Sequence, residues 1–201
     1  MMTHIVERPI LFSGPMVRAI IDGRKAQTRR LVKPQPDTNN VADIKLDLDG
    51  FLYVEAGRWC QRCPYGIPGD RLWVRETWAD TMGDPPEAIY RADGERHPSS
   101  ALKWRPSIFM PRWACRLVLE VTAVRVERLQ KISEADAKAE GCAAKDLVTH
   151  KGTMGPFDAE LTQNAATAKE AYRALWNSLN AKRAPWASNP FVWVIEFRMK
   201  R

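Results

Sequence analysis

The run Gly23-Arg24-Lys25-Ala26-Gln27-Thr28-Arg29-Arg30 gathers an amine, a hydroxyl and three guanidinium groups at a joint between a helical and a strand-like pattern. A hydroxyl is a poor nucleophile until a base takes its proton. A lysine becomes such a base when burial or neighbouring cations lower its pKa. Arg24, Arg29 and Arg30 are such neighbours for Lys25, and Thr28 is the hydroxyl in reach. Positions 25 and 28 share one side of a helical turn but opposite faces of a regular strand, so a common site requires irregular backbone near Ala26. The competing reading is a solvated basic turn, because runs of charge usually face water.

Proton donors come from a second stretch. Ser133 and Asp136 have the spacing of a capping box, and Gly141 ends the helix they open. Glu134, Asp136 and Glu140 are the carboxylates on it. A carboxylic acid that donates a proton near neutral pH needs burial to raise its pKa. The eight tryptophans belong mostly to the core. Trp59, in an irregular stretch, and Trp78, at a strand end, are the candidates to stack a nucleobase. Cys60 and Cys63 have the spacing of half a zinc site with no second pair after them, so packed thiols are expected rather than a metal, and no cofactor is implied.

These groups must be held by the following elements. Pro15 to Asp22 reads as a short helix stopped by Gly23, and Ala26 to Val32 as a strand ended by Pro34 and Pro36. Phe51 to Glu55 is one arm of a hairpin. A strand is expected over Arg71 to Ala79 after the Pro68-Gly69-Asp70 turn, and a short one over Ala88 to Arg91 within a proline-rich surface loop. Arg116 to Arg128 is the strongest strand, with one slip in its alternation that marks a bulge. Thr167 to Lys182 carries Ala168, Tyr172, Leu175, Trp176 and Leu179 on one face, so it is an amphipathic helix. Pro190 to Lys200 is the closing strand. Strands scattered among a few helices without regular alternation indicate an α+β protein with a curled sheet or barrel.

The 201 residues, 45% hydrophobic and 27% charged, suit one globular domain, and no internal repeat is visible. No apolar run reaches the roughly 18 residues that span a bilayer, and no secretory signal opens the chain, so a cytoplasmic protein without a membrane partner is expected. The net charge of +7 favours an anionic partner such as nucleic acid or a nucleotide.

Taken in order, the helix ending in Gly23-Arg24-Lys25, Thr28 with Arg30, the Gly69-Asp70 turn, the Glu120-Val121-Thr122 strand, the Ser133 to Glu140 helix and the Val192 to Phe197 strand resemble the ASCH domain. Within it the resemblance is to small bacterial N4-acetylcytidine amidohydrolases. It implies a PUA-like β-barrel with flanking helices across residues 1–201, with insertions at about 33–68, 80–112 and 143–165. It also implies removal of an acyl group from an N4-acylated cytosine nucleoside or related nucleobase. Lys25 would then be the proton acceptor, Thr28 the nucleophile and Glu140 the proton donor; the residues themselves, not the resemblance, make Arg24, Arg30, Trp59 and Trp78 the substrate-binding candidates. Position 26 is Ala where Thr is common in those enzymes. The alternative that the same resemblance implies is an RNA-binding module or ribonuclease.

Overall fold

The computed structural model describes residues 5–36, 44–47, 50–54, 60–81, 83, 86–94, 103–143 and 167–200. The closing stretch, apolar at almost every position, becomes β10 (Phe191–Met199) and is buried on both faces. It lies between β9 (Val118–Arg128) and β2 (Gln27–Leu31) in a five-stranded sheet of order β1-β6-β9-β10-β2. The outer strands on the other side are β6 (Arg71–Arg75) and β1 (Glu7–Leu11), paired in parallel; the remaining pairings are antiparallel. Pro9 sits in β1, at the sheet edge, where a missing N–H is tolerated.

Alternation divides β10 between two cores. Phe191, Trp193, Ile195 and Phe197 join Ile10, Phe12, Val17, Leu72, Leu119 and Val121 on one face of the sheet. Val192 and Val194 join Tyr172, Trp176, Leu129 and Ile132 on the other, beneath α2 (Glu134–Ala139) and α3 (Ala168–Asn180). The remaining helix, α1 (Gly14–Ile21), packs Val17 and Ile20 into the first core. Three short strands, β3 (Ile44–Leu46), β4 (Phe51–Val54) and β5 (Cys60–Arg62), form a separate sheet, and β7 (Trp78–Asp80) pairs with β8 (Ala88–Tyr90).

The expected bulge lies in β9. Glu196 faces Ala123 and Phe197 faces Val121, so Thr122 is the extra residue. It inverts the parity of everything after it. Leu119 and Val121 point into the first core before the bulge, and Val124 and Val126 do so after it. Arg125 and Glu127 are thereby turned to the face that carries α2, where the candidate site needs charge. Without Thr122 these two would be driven into an apolar core.

The chain is thus a mixed α+β protein, but two expectations require correction. The barrel does not close: among the described residues β1 and β2 remain the two edges of an open sheet. The edges do approach one another, because the Arg30 guanidinium of β2 donates to the carbonyl of Leu11 at the end of β1 at 2.7 Å. A side chain spans the gap where a barrel would have a ladder. The second correction is that Arg71 to Ala79 is two strands, β6 and β7, belonging to different sheets. Between them Glu76 turns inward, is 1% exposed and pairs with Arg116 at 2.8 Å. Among the described residues no helix is long and apolar enough to cross a membrane.

Candidate functional site

Lys25 falls just outside β2, in the irregular backbone that a shared site demands. Gly23, at φ 72°, turns the chain out of α1, and the amides of Arg24 and Lys25 both donate to the carbonyl of Ala19. Lys25 then makes an isolated antiparallel bridge with Glu140, and the Ala26 amide donates to Ala139 at 2.8 Å. Glu140 is positioned by its own helix. The capping box of Ser133 and Asp136 fixes the start of α2, Glu140 is the residue that caps its end, and Gly141 follows at φ 87°. A Cβ on Gly141 would stand 3.1 Å from Ala19 Cβ and 3.3 Å from Lys25 Cβ. Position 141 therefore favours glycine by its φ, and a Cβ there would also crowd Ala19 and Lys25.

Two stretches 115 residues apart meet there. The buried Lys25 ammonium donates to the Glu140 carboxylate Oε2 at 2.8 Å, to the Glu140 carbonyl at 2.9 Å and to the Gln27 carbonyl at 2.8 Å. Its three protons are all placed, so this arrangement is that of a charged lysine. Burial nonetheless pushes the Lys25 pKa below its ordinary value, helped by Arg30; the Glu140 charge opposes the shift without cancelling it. The ammonium also lies 5.5 Å from the centroid of the Phe12 ring, with the Arg30 guanidinium 5.2 Å from the same ring.

Arg29 lies on the opposite face of β2, with a side chain 0% exposed. It reaches three carboxylates: Glu140 Oε1 at 3.3 Å, Glu127 at 3.2 Å and Asp136 at 3.3 Å. Glu140 is therefore held from both sides, Oε2 by Lys25 and Oε1 by Arg29. Gln27 adds hydrogen bonds to the carbonyl and carboxylate of Asp136. The three acids have different partners: Glu140 touches Lys25, Asp136 caps the helix and binds Arg29, and Glu134 accepts the amides of Ala168 and Lys169 at the start of α3. Arg29→Leu would leave three partly or fully buried carboxylates short of a cation. We expect it to lower stability by about 3 kcal/mol, read as a fall in the urea midpoint, with Arg29→Lys intermediate because one ammonium does not span three carboxylates.

Thr28 is buried and pairs with Ile195, so it shares a face with Ile195, Trp193 and Arg30. That is the face on which Arg30 and the Lys25 ammonium meet Phe12. Among the described residues the Thr28 hydroxyl has no hydrogen-bond partner, and Lys25 spends its donors elsewhere. The structure thus joins Lys25 to Glu140 directly and makes no bond from either to Thr28, which follows in the chain the Gln27 carbonyl that Lys25 holds. Arg30 is at the site through Phe12 and Leu11. Arg24 is an exposed residue that pairs with Asp22 at 2.9 Å.

Of the two tryptophans, Trp59 lies outside the described residues. Trp78 is corrected: it is 1% exposed in a small core with Met110 and Ala114, edge-on to Trp113 at 5.5 Å, so no face is open to a base. Cys63 is buried against the first core, which pushes its thiol up to about 11. Among the described residues no cluster of three His, Cys, Asp or Glu suits a metal ion. Phe12 is the site residue that the sequence did not single out, and Arg29 was read only as a cation neighbouring Lys25. Phe12 had no motif around it, and Arg29 had only its place in a basic run. Compared with known proteins, the chain matches no family model, no curated protein and no solved structure.

Proposed function

We propose that the chain is an amidohydrolase that removes the acyl group from an N4-acylated cytosine nucleoside or related nucleobase, by way of an acyl-enzyme on Thr28. The observation that carries this reading is the buried 2.8 Å contact between Lys25 and Glu140 at the foot of the strand bearing Thr28. The resemblance of the Gly23 to Arg30 run to the ASCH-type amidohydrolases supplies the reaction class, and a PUA-like fold is proposed with it.

The chemistry needs one base and one acid in the same state. A single proton passing from the Lys25 ammonium to the Glu140 carboxylate creates both, leaving a neutral amine and a neutral carboxylic acid. Excluding water favours this exchange, since low dielectric penalises two charges more than none. Lys25 then takes the Thr28 proton as the hydroxyl oxygen bonds to the acyl carbon, and the Glu140 proton goes to the departing N4 amine as the C–N bond breaks. Glu140, now a carboxylate, takes a proton from water as the water oxygen bonds to the acyl carbon, and the Lys25 ammonium returns its proton to the Thr28 oxygen as the ester C–O bond breaks. Arg30, whose guanidinium lies 5.2 Å from the Phe12 ring, is the cation we assign to the charge that develops on the acyl oxygen.

The pair must hold one proton to work, so kcat/KM for a neutral substrate is bell-shaped. Its alkaline limb is the loss of that proton. Because the lysine pKa is lowered in the folded chain, this limb falls below the 10.5 of a free lysine. The experiment is deacylation of N4-acetylcytidine, N4-acetylcytosine and N4-benzoylcytosine across pH, with the cytidine or cytosine product quantified. Turnover with a descending limb below 10.5 is expected. Failure to release product from any of the three, or a rate still rising beyond that pH, overturns the proposal.

A further inference from the structure

Two of the buried side-chain N–H groups that lack an acceptor belong to residues facing each other on adjacent strands. Arg30 of β2 is the register partner of Trp193 of β10, and neither Arg30 Nε nor Trp193 Nε1 has a hydrogen-bond partner among the described residues. Register partners carry their side chains next to one another on one face of a sheet. The same face holds Thr28, two positions back along β2, with its own unbonded hydroxyl. Buried donors are normally satisfied, so two unsatisfied neighbours point to an acceptor that comes from outside the chain.

Arg30 is also a cation without a counter-charge. Lys25 answers Glu140, and Arg29 answers three carboxylates. The half-buried Arg30 has no carboxylate partner among the described residues: its Nη2 donates to the Leu11 carbonyl, and its guanidinium lies over the Phe12 ring. A carbonyl oxygen and a ring face are both attractive to a guanidinium, but neither carries a full negative charge.

We propose that Arg30 and Trp193 form a receptor for a small carboxylate, one oxygen accepting from Arg30 Nε and the other from Trp193 Nε1, and that the acid released from Thr28 is its occupant. The identity of that acid rests on the hydrolysis proposed above; the receptor for the anion does not. One uncompensated cation suits a monoanion, whereas a phosphate calls for a second cation, and Lys25 is committed to Glu140. A carboxylate presents two oxygens in one plane, which suits a pair of N–H groups better than a single halide ion does. Arg30 lies roughly 7 Å along the strand from Thr28, so an acyl group freed from the Thr28 oxygen has about its own length to travel. Phe12 and Ile195, in the core on this face, are the apolar neighbours of its hydrocarbon end. Entry is at the seam between β1 and β2, which the Arg30 side chain crosses in place of a ladder. The cation that meets the charge growing on the acyl oxygen thus also holds the acid, which leaves last and competes with the next substrate.

The test is a ligand-observed NMR titration with sodium benzoate and with benzamide, its uncharged counterpart, repeated in the presence of an equal concentration of sodium chloride. Benzoate should bind about tenfold or more tightly than benzamide, and chloride should not displace it. Arg30→Met should weaken benzoate by about tenfold or more. Trp193→Phe, which keeps a ring and removes the donor, should weaken it severalfold; Arg30→Met decides alone if Trp193→Phe does not fold. Thr28→Val should bind benzoate as wild type does, because the receptor uses no nucleophile. In deacylation assays of wild type, benzoate should raise KM and leave kcat unchanged. Benzoate binding in a protein that releases no cytosine would support the receptor and remove the hydrolysis, whereas turnover without benzoate binding would remove the receptor and leave the hydrolysis. Unchanged affinity in Arg30→Met, equal affinity for benzamide, or displacement by chloride would likewise overturn the receptor.

Discussion

Lys25→Met is expected to cost about 3–5 kcal/mol of stability and to abolish hydrolysis, whereas Lys25→Met combined with Glu140→Leu recovers most of the stability and none of the activity. The single change removes a cation but leaves the Glu140 carboxylate buried, with only Arg29 at 3.3 Å to answer it. It also leaves the carbonyls of Gln27 and Glu140 without the donor they now share. An uncompensated buried charge is the expensive outcome, while a pair replaced by apolar groups of similar volume is close to neutral. Urea unfolding of the wild type, both single variants and the double variant gives the coupling energy, and deacylation assays on the same four give the rates. A purely structural pair would let the double variant work as well as the wild type, if the wild type works at all. If the single variant is as stable as wild type, the two groups are not the interlocked pair described here.

The elements that hold this pair were readable from local chemistry. The apolar spacing of Met16 to Ile21 and the stop at Gly23 gave α1 within a residue at each end. Ser133, Asp136 and Gly141 gave α2 because caps are local signals that depend on few distant contacts. The slip in β9 was visible as an interruption of alternation, although its consequence, turning Glu127 toward Arg29, needed the neighbouring strand. What was not readable was decided by distant partners. Arg29 looked like one more solvated cation in a basic run, and it is buried because Glu127, Asp136 and Glu140, roughly a hundred residues on, surround it. Trp78, at a strand end, read as a candidate to stack a base, and Met110 and Trp113 cover it from a loop with no periodicity of its own. β1 is five residues with a proline in it, a pattern that only its pairing with β6 makes a strand. The expected barrel failed at one seam, where Arg30 reaches Leu11 by a side chain instead of a ladder, and that seam is where Phe12 and the Lys25 ammonium meet.

Thr28→Val separates the nucleophile from the pair. The Thr28 hydroxyl has no hydrogen-bond partner among the described residues, while its methyl group lies on the same face as Ile195 and Trp193. Replacing the hydroxyl by a methyl group strands no partner and adds apolar contact, so the urea midpoint should move by less than about 1 kcal/mol in either direction. Covalent catalysis, by contrast, has no route without the oxygen, and the rate should fall on the order of 10⁴-fold or more. Thr28→Ser keeps the oxygen and should retain a measurable fraction of turnover, with the loss coming from the freer rotation of a side chain without the β-branch. Mass spectrometry of wild type quenched during turnover of a slow N4-benzoyl substrate should show the benzoyl group on the peptide containing Thr28. The same label on the Lys25 nitrogen would exchange the roles of the two residues. Full activity in Thr28→Val would remove the acyl-enzyme altogether and leave Lys25 and Glu140 to activate water directly.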